Sequence, residues 1–344
     1  MKLINTVDAV GHVIFHDITQ IIKDEVKDVV FKKGHIVREE DIPVLLSVGK
    51  EHLYVWEKTE GLLHENEAAE ILYEICKNDY MKATPVKEGK INLIADIDGL
   101  FKVNKEKLFK LNSIDDIMIA TRHGNTSVKK GDMLAGTRII PLVIEEEIMK
   151  SVQEIDTHLP LLELLPFKHK KVSIIATGSE IYHGRIEDKF TPVVMDKFKE
   201  FGAVILSQAT VDDKKEDITK EIISSIENGA DIVACTGGMS VDPDDRTPGA
   251  IRDTGAEVIT YGAPTLPGAM FLLAYYNYQG KEIPIVGLPG CVMYSKRTIF
   301  DIVLPRIMAD DRIKKSEMNR LGEGGLCLEC EICTFPNCSF GKGF

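Results

Sequence analysis

Lys171-Val172-Ser173-Ile174-Ile175-Ala176, followed at once by Thr177-Gly178-Ser179-Glu180, is the stretch whose reading decides the fold. The first six residues form a short, largely apolar, β-branched run, which reads as a buried strand, and the glycine and hydroxyls that follow end it abruptly. Working outward, Phe190, Val193, Val194, Lys197, Phe198 and Phe201 recur at helical spacing within residues 186–201, and Ala203-Val204-Ile205-Leu206 reads as the next strand. Residues 217–228 predict another helix, Gly229 stands where a helix C-cap is expected, and Asp231-Ile232-Val233-Ala234-Cys235 reads as a third strand. Further strands are expected at 257–260 and 283–286, with helices at 266–278 and 292–308, the latter interrupted by Pro305. Strand and helix alternating in this way predict an α/β domain: a three-layer parallel sheet with helices on both faces.

The amino half is less regular. Strands are expected at 9–16, 52–56, 91–97, 116–120 and 139–143, and helices at 40–48 and 65–76, which together read as an α+β domain. An acidic helix within 145–168 leads to the second half, giving boundaries at 1–165, 166–313 and a Cys-rich tail at 314–344. At 344 residues, with 44% hydrophobic and 28% charged residues, the chain is large enough for two buried cores and excludes a disulfide-stapled module. Its formal net charge of −12 repels phosphate backbones and anionic lipid, so neither a nucleic-acid nor a membrane partner is expected. The first residues lack the apolar core of a signal peptide, and there is no apolar run of about 18 residues, so a cytoplasmic chain is expected. Residues 258–279 carry no charge, but Gly262, Pro264, Pro267 and Gly268 make them a buried strand, loop and helix rather than a membrane span.

In an open parallel sheet, ligands bind beyond the carboxyl ends of the strands. Those ends carry Thr177-Gly178-Ser179-Glu180, the pair Asp212-Asp213, Thr236-Gly237-Gly238-Met239-Ser240 leading to Asp244-Asp245-Arg246-Thr247, and Leu288-Pro289-Gly290-Cys291. Glycines let backbone amides approach an anion, hydroxyls add donors, and carboxylates beside a phosphate make sense if they hold Mg²⁺ or accept from a polar heterocycle. Each loop taken alone could be turn and cap chemistry. Four of them on one sheet edge favour a binding site.

As a set, these residues resemble the molybdopterin-binding domain of molybdenum-cofactor biosynthesis proteins of the MoeA and MogA type, over about residues 170–307. The resemblance implies an α/β fold that binds the small-molecule pterin and its terminal phosphate, or an adenylated form, and a role in molybdenum-cofactor biosynthesis, including transfer of molybdate. Carried over, Thr177, Gly178, Ser179, Asp212, Gly237, Gly238, Ser240, Asp244, Pro289 and Gly290 would bind the cofactor, and Glu180, Asp213 and Asp245 would be catalytic. The molybdate-inserting branch usually has a lysine in the region of Pro264-Thr265-Leu266-Pro267-Gly268, where this chain has none. Asp244-Asp245-Arg246-Thr247 is instead similar to the Asp-Asp-x-Thr of CinA-like proteins, which implies Mg²⁺-dependent pyrophosphate hydrolysis as an alternative. A non-catalytic cofactor carrier or sensor, and a homo-oligomer, are compatible with the same residues. His183, just after the first turn, is a further candidate for proton transfer.

Residues 10–19 and 31–36 resemble the leading region of some stand-alone bacterial members of this family, without an attached chemistry. His12 and His16 are expected to share one face of a strand rather than bind metal, and His35 and Lys33 to lie in a surface loop. No P-loop, Rossmann or serine-hydrolase signature occurs. Of seven cysteines, Cys327, Cys330, Cys333 and Cys338 crowd into the tail. Their spacing resembles half of a bacterial ferredoxin motif, so a [4Fe–4S] cluster is expected first and Zn²⁺ second, with residues 314–325 as a flexible tether.

Overall fold

A computed structural model describes residues 2–22, 26–55, 60–155, 158–240, 242 and 245–343. Asp244 and Trp56 lie outside the described residues. The chain divides into two units: Met1–Asp96 with Val103–Arg122 and Lys130–Glu163, and Ile97–Lys102 with His123–Lys129 and Leu164–Phe344.

The first unit is α+β. Helix Glu65–Cys76 buries Ala68, Ala69, Leu72 and Cys76, and the four-stranded antiparallel sheet runs in the order Met81–Ala83, Lys90–Ala95, Met133–Ile139, Ile117–Thr121. His64 caps the helix by accepting from the Asn66 amide at 3.1 Å, while its other ring nitrogen lies 3.2 Å from the Phe15 carbonyl. Residues 9–16 do not form the expected strand. They follow a 3-10 turn at Thr6–Asp8 and are joined to their neighbours by isolated bridges, Val13 to Ile36 and Ile14 to Val55. The expected strand at 139–143 is split, residues 140–142 forming the turn between strands Met133–Ile139 and Val143–Glu145. In the first place an apolar composition serves packing without a continuous ladder: Ile14 and Phe15 are buried. His12 is exposed, and His35 pairs with Asp41 at 2.7 Å.

The second unit is built on a six-stranded sheet. Its strands are β1 (Lys171–Thr177), β2 (Val204–Val211), β3 (Ile232–Thr236), β4 (Glu257–Tyr261), β5 (Leu272–Tyr278) and β6 (Lys281–Leu288), in the spatial order β2-β1-β3-β6-β5-β4. The first four in that order are parallel, as expected, and β5 runs antiparallel to both its neighbours. The helices are α1 (Ser179–Tyr182), α2 (Phe190–Lys199), α3 (Lys215–Glu227), α4 (Thr247–Asp253), α5 (Ile299–Met308) and α6 (Lys315–Arg320). One core joins the sheet to α2 and α5 through Phe198, Phe271, Phe300 and Val303, and another joins it to α3 and α4 through Ile218, Ile222, Ala250 and Ile251. The three layers follow from these two cores.

Two expectations fail here for physical reasons. The helix expected at 266–278 is the strand β5, because Gln279 and Gly280 both take positive φ (53° and 84°) and turn the chain back so that Tyr278 pairs with Lys281. The helix expected from residue 292 begins only at Ile299, after a 3-10 turn at Gly290–Met293. The segment read as a tether is packed. Met318 is buried, Leu326 bridges Leu266, and a Cβ on Gly341 would lie 2.7 Å from Ile302. Phe340 enters the same core as α2 and α5. Among the described residues no helix is long and apolar enough to cross a membrane.

The start of α5 is fixed by a buried carboxylate. Asp301 accepts from Lys197 Nζ at 2.6 Å, Arg297 Nη1 at 2.9 Å and the Thr298 amide at 2.8 Å, and Thr298 Oγ1 in turn accepts from the Phe300 amide at 3.2 Å. Replacing Asp301 by Ala removes a cap and leaves Lys197 as a buried, unpaired charge. The unfolding free energy of Asp301→Ala should fall by about 3–5 kcal/mol in urea titrations, and a loss below about 1 kcal/mol would show that water replaces the carboxylate.

Candidate functional site

The ends of the parallel strands are level. Thr177 lies opposite Val211, Ala176 opposite Thr236, and Thr236 opposite Leu288, so the four loops singled out in the sequence leave the sheet along one edge. Two of these loops are tied together by hydroxyls. Thr177 Oγ1 donates to the Thr236 carbonyl at 3.1 Å and lies 3.0 Å from Thr247 Oγ1, and Thr247 Oγ1 donates to the Gly237 carbonyl at 3.0 Å. Gly237, at φ +84°, passes so close to β1 that a Cβ would lie 2.1 Å from the Thr177 carbonyl oxygen. The strand ends therefore require glycine at 237; ligand clearance does not. Thr177, Thr236 and Thr247 are all buried, and of these only Thr177 was singled out from the sequence as a site residue.

The first turn is engaged within the protein as well. The Gly178 amide donates to the Val211 carbonyl at 3.3 Å, and the Ser179 amide to Asp213 Oδ2 at 2.7 Å. Asp213 thus joins the loops after β1 and β2. Burial pushes its carboxyl above the ordinary range, the Ser179 amide opposes that shift, and the charges of Glu180, Asp212 and Asp245 reinforce it. Asp212 accepts from the Asp213 amide at 3.0 Å and stands 3.7 Å from Lys214 Nζ. Glu180 is exposed, with its carboxylate folded back to 3.0 Å from the Cβ position of Gly178. His183 is exposed at the end of α1 with its ring against Tyr182.

On the far side of the edge, Tyr261 donates to the Met239 carbonyl at 3.0 Å and lies 3.3 Å from the Ser240 carbonyl. Burial raises its hydroxyl above the usual range, and the Asp245 charge adds to this. Tyr261 stands one residue beyond the strand expected at 257–260, and its position at a strand end was the signal that would have found it. Pro289 is buried, whereas Gly290 opens the 3-10 turn with nothing within 4 Å of its Cβ position. Gly290 therefore faces open space. Among the described residues no three His, Cys, Asp or Glu side chains converge closely enough to hold a single metal ion. The acidic edge is a place where negative charge is crowded, and it could share a cation with oxygens brought by a ligand.

Residues 173–309 match the family model of a probable molybdopterin binding domain, and residues 3–57 match a domain of unknown function, DUF8806. A CinA-like protein of Mycobacterium tuberculosis is 28% identical over 90 residues, covering 26% of this chain and 21% of that protein. One from Anaeromyxobacter sp. is 32% identical over 77 residues, covering 22% and 19%. The chain thus spans about a fifth of the length of these relatives. The tungsten cofactor synthesizing protein MoaB from Pyrococcus furiosus is 18% identical, over 42% of this chain and 99% of that one, at a TM-score of 0.36. Residues 173–309 of the second unit are thus similar to a probable molybdopterin binding domain, the resemblance that the strand-end motifs had implied.

Because Asp213 is raised in the folded state, its ionised form opposes folding above that pKa, and the penalty fades as pH falls towards its ordinary value. Asp213→Asn keeps an acceptor for the Ser179 amide and removes the charge. Its melting temperature should exceed the parent's by a few degrees at pH 7, with the gap closing towards roughly pH 4. A lower melting temperature at pH 7 would mean that the charge itself holds the two loops together.

Proposed function

We propose that the level ends of β1, β2, β3 and β6 bind the pterin and terminal phosphate of molybdopterin, or of its adenylated form, in a step of molybdenum-cofactor biosynthesis. The observation that carries this is the carboxylate crowding around Asp213 on the sheet edge of a domain that matches the molybdopterin-binding model. Mg²⁺ commonly takes one or two protein carboxylates, completes its shell with ligand phosphate and water, and so needs no preformed cage. Asp213 and Asp245 would share such an ion with the phosphate, Asp212 would hold the Asp213 backbone in place, and Gly290 would leave room for the ring system. Glu180 and His183 are exposed and available to a bound ligand, which suits proton transfer or the orientation of molybdate.

A second reading is favoured by the CinA-like relatives together with Asp245-Arg246-Thr247, in which Thr247 is buried against the Gly237 turn. On that reading Asp213 and Asp245 would hold an ion whose chemistry there would be to polarise a pyrophosphate towards attack by water.

Titration calorimetry with molybdopterin under anaerobic conditions, with and without Mg²⁺, tests the first reading. Binding should be saturable and tighter with Mg²⁺. Gly290→Leu, which fills open space without disturbing a packed neighbour, should weaken it at least tenfold, about 1.4 kcal/mol, at unchanged melting temperature. Equal affinity in that variant would move the ligand away from β6, and absence of binding under both conditions would remove the reading. Release of phosphate or nucleoside monophosphate from a nucleotide pyrophosphate would favour the second.

A further inference from the structure

The cysteines of the tail play no part in the site just described. They are nevertheless not scattered. Cys327, Cys330, Cys333 and Cys338 all line one cavity, whose remaining walls include Lys296, Arg297, Phe335 and Phe340. None is in a disulfide. The backbone around them is anchored on both sides: the Cys327 amide donates to the Leu266 carbonyl at 2.8 Å, and the Gly341 amide to the Gly324 carbonyl at 2.9 Å. Lys296 Nζ donates to the Glu331 carbonyl at 3.1 Å. Arg297 lies over the Phe335 ring at 5.3 Å.

We propose that this cavity is the seat of a [4Fe–4S] cluster ligated by the four thiolates of Cys327, Cys330, Cys333 and Cys338. Two spacers of two residues and one of four, which contains Pro336, set the four cysteines within a short stretch of chain, a spacing close to that of cluster-binding segments. All four line the same cavity, and among the described residues no three of them converge on a single point, as one tetrahedral ion would require. A cubane held by four thiolates carries net negative charge. The charged side chains that line the cavity are Lys296, Arg297 and Glu329, and since Arg297 already pairs with Asp301, Lys296 is the cation nearest to hand for that charge. Aromatic walls such as Phe335 and Phe340 are surroundings that tune such a cluster.

The test uses the full chain. Incubated without oxygen with ferrous iron and sulfide and then desalted, it should retain about four iron and four sulfide per chain, with a broad visible absorption that bleaches on reduction. Cys330 and Cys333 are exposed, so Cys330→Ser with Cys333→Ser spares the core and should abolish iron retention without moving the melting temperature. Cys291→Ser, outside the cavity, should retain iron in full. Retention of iron by the double variant, equal loss of iron in Cys291→Ser, or purification with one equivalent of zinc that iron and sulfide do not displace would each overturn the assignment. So would iron below half an equivalent in the full chain after reconstitution.

Discussion

The second unit depends on how closely two parallel strands can end beside each other. At the carboxyl ends of β1 and β3 the backbone of Gly237 runs against the carbonyl of Thr177, and no side chain fits between them. The hydroxyls of Thr177 and Thr247 satisfy the polar groups that this approach buries. Once that contact is made, the start of α4 is placed by Thr247 and the loop from Met239 onward is directed towards Tyr261. The sheet edge is level because its centre is pinned.

The same edge shows how differently charge is handled in two parts of one unit. Asp301 is buried with Lys197 and Arg297 on it, so its charge is answered inside the fold. Asp213 is half-buried near the charges of Glu180, Asp212 and Asp245, and accepts from the Ser179 backbone amide. A fold gains nothing from the second arrangement, and perturbed groups of that kind collect where a ligand supplies the missing charge.

β1 and β3 were legible in the sequence because each is a short buried apolar run ending at a threonine and a glycine, whereas β2 continues past the expected 203–206 through Ser207, Gln208 and Thr210 to Val211 as an exposed edge strand. The reversal at β5 was not legible. Its run from Leu272 to Tyr278 is buried along most of its length, and such a run has no periodicity to separate strand from helix. The decisive signal was Gln279-Gly280, a two-residue hairpin turn in which glutamine takes a positive φ that its side chain does not favour. At the site, composition pointed to the glycines, hydroxyls and acids, but not to which amides are already engaged. Gly178 and Ser179 donate within the protein, a matter of register between loops that no single stretch encodes. Tyr261 escaped because a tyrosine at a strand end looks like ordinary packing, and Thr247, quoted within its Asp-Asp-x-Thr motif, gave no sign of its bonds to Thr177 and Gly237.

The second unit is not one continuous piece of chain. Gly99–Val103 and Thr126–Val128 form a small sheet with Leu162–Pro166, and Lys102 pairs with Asp311, which also accepts from Arg306 at 2.5 Å. At the other end Met318 of α6 and Phe340 complete a core whose helices α2 and α5 lie within residues 173–309. The stretch that is inherited as a recognisable block and the stretch that must fold together therefore have different borders. A graft cut at residues 173 and 309 would carry raw surface at both ends: Arg306 would lose Asp311, and the core would lose the ring of Phe340. A transplant of this domain that is to keep its stability must therefore be cut wider than the match that identifies it.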